Sequence, residues 1–179
     1  MAMRKIAVAF AIAALGLLLT TGSLAATDQR SPARADLEGR PIAATSASDY
    51  FCHDFDFPQV HCFRTAERLE AALAGAQATS QRVDAATGVT VSFGPQDYVT
   101  AYSDSSYGGS YIHLSLNYDT LYWIGWSDRI SSFKVRNNRS GTFWENWYGG
   151  GRRTDFCCNH TVPWLAAGVD NTFTSVYVR

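Results

Sequence analysis

The stretch from Tyr98 to Arg179 is written twice. Tyr102, Tyr107, Gly108 and Gly109 return as Phe143, Tyr148, Gly149 and Gly150, each 41 residues on. Asp128, Ser131 and Ser132 return as Asn171, Thr174 and Ser175, each 43 residues on. Self-similarity at a fixed offset marks two copies of one supersecondary unit, neither able to bury its apolar face alone. All five tryptophans lie in this stretch. Short runs such as YVTAY, SYIHLSL, ISSFKV, GTFW and TSVYVR alternate with Gly, Asn and Asp turns, which predicts strands and hairpins. Within each unit an aromatic, four residues, a second aromatic and then x-Gly describe a tight hairpin folded back over its sheet. The glycine supplies a positive φ there. The rings supply buried area, and serines near the end of the unit can hydrogen-bond back to the hairpin.

These residues resemble a known family. Y-SDSS-YGG followed by WSDRISSFKV resembles one βγ-crystallin Greek-key motif, and FWENWYGG followed by DNTFTSVYV resembles a second. The resemblance implies an all-β fold, a sandwich of two four-stranded sheets that exchange strands between motifs, and calcium binding through the sequence Asn/Asp, Asn/Asp, x, x, Ser/Thr, Ser. Asp170-Asn171-Thr172-Phe173-Thr174-Ser175 matches at every defined position. Ser127-Asp128-Arg129-Ile130-Ser131-Ser132 departs at the first. Calcium takes hard oxygen ligands, and both stretches are rich in them. The resemblance implies hydroxyl ligands from Ser131 and Thr174, and side-chain oxygens from Asp128, Asp170 and Asn171. It implies backbone carbonyls from Arg129 and Thr172, and from Ser103 and Trp144 just after the first aromatic of each hairpin. The same residues also suit plain turns.

Upstream, Thr27 to Asp49 has two prolines and no aromatic, a composition that predicts a flexible leader over 26–49. Residues 50–97 read as a pre-domain, an aromatic segment YFCHDFDFPQVHCF followed by a helix from Ala66 to about Gln77. Thr65 is its cap, and Leu69, Ala72, Leu73 and Ala76 form a narrow stripe. CFRTAERLEAAL resembles segments that precede such domains in secreted bacterial proteins. The crystallin-type domain spans 98–179. Among Cys52, Cys62, Cys157 and Cys158, a bridge between the adjacent pair is the least expected. Pairing Cys52 with Cys62 would leave that pair over, so the expectation is a bridge from Cys52 or Cys62 to Cys157 or Cys158. His53, Asp54, Asp56 and His61 fit no zinc spacing and read as the solvated edge of a disulfide loop.

The N-terminus has the plan of a secretory signal over 1–25: Arg4 and Lys5, an uncharged run from Ile6 to Leu19, then small residues to Ala26. The net charge of −1 becomes −3 without Arg4 and Lys5, so there is no basic footprint for nucleic acid or an anionic membrane. No Ser-His-Asp order, phosphate loop or H-E-x-x-H is present. The expectation is a secreted, monomeric, non-enzymatic protein whose fold is stabilised by calcium. The alternative is a secreted protease inhibitor or toxin-like effector with an extracellular protein target, presenting RNNRSG (136–141) or the loop Gly149 to Arg153.

Overall fold

The computed structural model describes residues 33–80, 82–83, 90–91 and 98–179. The expected signal segment lies outside them. Among the described residues no helix is long and apolar enough to cross a membrane. The order of elements is β1 (Arg34–Leu37), β2 (Arg40–Ile42), β3 (Phe51–Asp56), β4 (Gln59–Phe63), α1 (Ala66–Ser80), β5 (Arg82–Val83) and β6 (Thr90–Val91). The repeated region adds β7 (Val99–Tyr102), β8 (Tyr111–Leu114), β9 (Ser132–Val135), β10 (Ser140–Asn146), β11 (Gly150–Cys157), β12 (Thr161–Val162) and β13 (Ser175–Val178).

Two sheets carry the fold. One has the order β12-β9-β7-β8-β3-β4-β1-β2, the other β11-β10-β13. The units exchange strands, as the all-β Greek-key reading expects. From the second unit, β12 pairs with β9 of the first. From the first, Tyr118 bridges to Val176 on β13. Between the sheets lie Trp126, Ile130, Phe133, Phe143, Phe173 and Val176, all nearly or fully buried. Phe143 stacks on Phe173 with centroids 4.9 Å apart. Alternation puts Phe133, Phe143 and Val176 inward because successive strand residues point to opposite faces.

The upstream segment is part of the same sheet. Parallel to β8 runs β3, with Phe51 opposite Tyr111 and His53 opposite His113. This overturns the flexible leader for residues 33–49. Strand β1 pairs in parallel with β4, and Ala33, Ala35 and Leu37 join the common core. The leader's composition carries too few apolar residues for a core of its own, but it borrows one. Its return turn packs on Gly125, whose φ is +73° and where a Cβ would stand 2.0 Å from the Thr45 carbonyl. Ser110 Oγ donates to Ser48 O at 2.5 Å.

The cysteine expectation is also overturned. The β3–β4 hairpin sets Cys52 directly opposite Cys62, their Cα atoms 4.1 Å apart, and the two are bonded. Antiparallel register decides this pairing, and spacing along the chain does not reveal register. Cys157 and Cys158 are bonded to each other. The segment is therefore held to the sandwich by backbone pairing and packing, with no disulfide between the two. Helix α1 starts as expected, Thr65 Oγ1 accepting from Arg68 N at 3.4 Å. Its stripe is narrower than expected, because Leu69 is buried but Ala72 and Ala76 are exposed.

Strand alternation divides the His/Asp cluster. His61 Nδ1 lies 2.7 Å from Asp36 and Nε2 lies 3.3 Å from Asp56. Asp54 points to the other side, fully buried, and accepts from Ser115 N at 2.9 Å and Ser115 Oγ at 2.7 Å. The solvated-edge reading fails for His53 and Asp54, since β8 covers them. Burial raises the Asp54 carboxyl to about 6, against the pull of the Ser115 hydrogen bonds. Burial, with help from His61, lowers His53 to about 4. The two act oppositely on stability. Between about pH 4 and 6 the folded chain holds a proton on Asp54 that the unfolded chain has lost, so this group costs stability as pH rises. Between about pH 4 and 6.5 the unfolded chain holds a proton on His53 that the folded chain has lost, so this group restores it. Asp54→Asn should therefore gain on the order of 3 kcal/mol relative to wild type between pH 4 and 6.5 in denaturant melts. A pH-independent difference would contradict the buried carboxylate.

Candidate functional site

Each unit contains one serine that is fully buried and clamps its hairpin. Ser132 Oγ donates to Asp104 O at 2.6 Å and accepts from Tyr107 N at 3.1 Å. Ser175 Oγ donates to Asn146 O at 2.6 Å and accepts from Gly149 N at 3.2 Å. Asp104 is thus the counterpart of Asn146, and Tyr107 of Gly149, an offset of 42 in both cases (104 and 146, 107 and 149). The backbone agrees. Ser106 and Tyr148 both have φ +57°, and Gly109 and Gly151 have φ +70° and +77°. The hairpins are therefore offset by 42, where the sequence match had placed them at 41. Three successive glycines, 149–151, admit either register in sequence, and only the serine clamps decide. The slot filled by Tyr107, whose ring packs on Tyr102 at 5.5 Å, is a glycine in the second unit. The Tyr177 ring lies over that glycine.

This changes one expected ligand. Tyr102 O accepts from Ser131 N at 3.0 Å, and Trp144 O accepts from Thr174 N at 2.8 Å. Trp144 is thus the first aromatic of its hairpin, the counterpart of Tyr102. The residue just after it, the counterpart of Ser103, is Glu145. Its carboxylate is held by Arg152, with Nε donating at 2.6 Å.

The two motif loops cross. Asp128 N donates to Phe173 O at 2.9 Å, and Asn171 N donates to Ile130 O at 3.1 Å. Both donors take the left-handed conformation, φ +56° and +54°. Side chains repeat the exchange. Ser131 Oγ donates to Asn171 Oδ1 at 3.1 Å, and Thr174 Oγ1 lies 3.4 Å from Asp128 Oδ1. Of the expected residues, Asp128, Ser131, Asp170, Asn171 and Thr174 are brought together at this crossing. Asn171 Nδ2 reaches Asp170 Oδ2 at 3.3 Å. Arg129 and Thr172 occupy matching places in the two loops. Arg129 sends its side chain to Asp49 at 3.6 Å, and Thr172 Oγ1 donates to Val169 O at 2.7 Å, so each leaves its own carbonyl as the remaining oxygen. Ser127, at the departing position, has a buried hydroxyl with no hydrogen-bond partner among the described residues. Among those residues no three His, Cys, Asp or Glu gather around a common point. The oxygens assembled here are hydroxyls, amides and carbonyls with few carboxylates.

In the loops named for the alternative, residues 136–138 and 151–153 are exposed and two arginines are anchored. Arg139 donates to the Ser115 carbonyl. Arg152 is tied to Glu145 and to the Gly168 carbonyl.

Comparison with known proteins finds no matching family model and no matching curated protein. Solved βγ-crystallin domains are similar to this chain. One from Clostridium beijerinckii is 28% identical over 45% of this chain and 95% of its own, with a TM-score of 0.41. One from Flavobacterium johnsoniae is 23% identical over 46% and 94%, with a TM-score of 0.41. One from Ciona intestinalis is 19% identical over 45% and 98%, with a TM-score of 0.41. The family that the repeated motifs resemble is thus also the family of these solved structures.

Ser132→Ala removes a donor and an acceptor at once and strands Asp104 O and Tyr107 N. It should cost about 1–3 kcal/mol in denaturant unfolding, and Ser175→Ala a comparable amount. A change within about 0.3 kcal/mol in either would show that the hairpins hold without the clamp.

Proposed function

We propose that this chain is an exported, non-enzymatic calcium-binding protein of the βγ-crystallin type, in which calcium binds at the crossing of the two motif loops and stabilises the fold. The observation that carries the reading is the reciprocal exchange at the crossing: a hydroxyl from each loop reaches the side-chain oxygen of the other. The donors suit a hard cation, and the unpartnered Ser127 hydroxyl is a buried oxygen without an internal role. Export rests on the N-terminal sequence pattern alone.

By the resemblance, the crossing takes hydroxyls from Ser131 and Thr174, side-chain oxygens from Asp128, Asp170 and Asn171, and backbone carbonyls from Arg129, Thr172 and Ser103. Glu145 stands in this set where Trp144 was expected. Few carboxylates mean modest affinity, on the order of 10⁻⁵–10⁻³ M. At a hundredfold excess over that constant, calcium adds about 2.7 kcal/mol, which raises the Tm by roughly 5–10 °C. Ser127→Asp should tighten binding by supplying an acid at the departing position. Thr174→Arg should remove one site, placing a cation where a hydroxyl ligand stands. Calorimetry checks all three. A melting curve unmoved by millimolar calcium, in wild type and in Ser127→Asp alike, would refute the reading.

A further inference from the structure

The small sheet ends on its longest strand. In the order β11-β10-β13, β11 runs for eight residues and has a strand on one side only. The large sheet ends on β12 and β2, of two and three residues, and β13 is bridged on its other side by Tyr118. Among the described residues β11 is thus the one long open edge, and such an edge is a row of unpaired amides and carbonyls.

The ladder fixes which groups those are. Ser140 and Arg179 exchange both of their backbone hydrogen bonds. Backbone direction alternates along an antiparallel strand, so Ser140, Thr142 and Trp144 face β13 while Gly141 and Phe143 face β11. Their partners there, Phe156 and Thr154, point inward, and Cys158 keeps the alternation by donating inward to Arg139 O at 2.9 Å. Arg153 and Asp155, on either side of Thr154, therefore turn N–H and C=O outward, where no backbone hydrogen bond among the described residues reaches them. Their side chains are exposed and share the outer face. Arg153 Nε lies 3.5 Å from Asp155 Oδ2, and Asp155 Oδ1 accepts from Thr142 Oγ1 at 2.7 Å.

We infer that β11 is a docking edge for a second copy of this chain, paired antiparallel about a two-fold axis at Thr154. Charge selects the register. Centring the pair on Arg153 sets that cation against itself, and centring it on Asp155 sets acid against acid. Like charges directly opposite destabilise a strand pair. Centred on Thr154, Arg153 lies opposite the partner's Asp155 on both sides of the axis, and each such pair exchanges both of its outward backbone hydrogen bonds. The charges that keep other strands off this edge thus admit one partner. A two-fold contact uses each edge once, so the assembly closes as a dimer and does not grow into a fibre. The contact is narrow, which places the Kd on the order of 10–100 µM.

Sedimentation equilibrium of the purified protein tests this. Wild type should pass from monomer to dimer over that concentration range. Arg153→Asp sets acid opposite acid and Asp155→Arg sets base opposite base, so each alone should weaken the dimer by more than about tenfold. An equimolar mixture of the two variants restores acid opposite base in a mixed pair and should associate within about threefold of wild type. The double swap Arg153→Asp/Asp155→Arg restores the same pairs within one chain and should do likewise. A merely structural role for either residue would not be rescued by mixing. Wild type that stays monomeric at about 1 mM, single variants that dimerise like wild type, or a mixture and a double swap that both stay monomeric would overturn the inference.

Discussion

Two backbone hydrogen bonds organise the sandwich: Asp128 N to Phe173 O and Asn171 N to Ile130 O. They join residues more than forty apart in sequence, and they are formed at two left-handed residues, a conformation that Asn and Asp tolerate better than most side chains. Once the loops cross, Ile130 and Phe173 fall inward and are buried. Ser132 and Ser175 then reach the hairpins they clamp. The exchange of β12 and the Tyr118 segment between the sheets follows from the same interlock. A long-range pairing of this kind carries a large loop-closure cost, which only a core shared by both units can offset.

The second dependency is the parallel pairing of β3 with β8. It covers what would otherwise be an open sheet edge, the kind that invites pairing with other chains. It also buries the Asp54 carboxylate against Ser115. The same pairing lets α1, which follows β4, return over β8 with Glu70 beside His113.

The repeated region was legible because aromatic, glycine and serine spacing reports local geometry directly. Strands and hairpins follow from it, whereas the Greek-key pairing and the crossing residues came from the resemblance to βγ-crystallin motifs. Register was not legible where the signal is degenerate. Gly149, Gly150 and Gly151 fit two alignments, and Tyr148 drew the match to the wrong one, so Trp144 was expected where Glu145 stands. The leader was misread for a different reason. Composition measures whether a segment can build a core, and Ala33, Ala35 and Leu37 instead use one built by others. Cysteine pairing failed similarly: Cys52 meets Cys62 through hairpin register, which spacing does not encode.

Amide hydrogen exchange at Asp128 and Asn171 tests the interlock most directly. Both side chains are exposed, so if these loops were independent surface turns their amides would exchange quickly and at unrelated rates. The account predicts that both are protected to the same degree, opening only with the global unfolding of the sandwich. Fast exchange at either position, with the strand amides of β9 and β13 still protected, would contradict it.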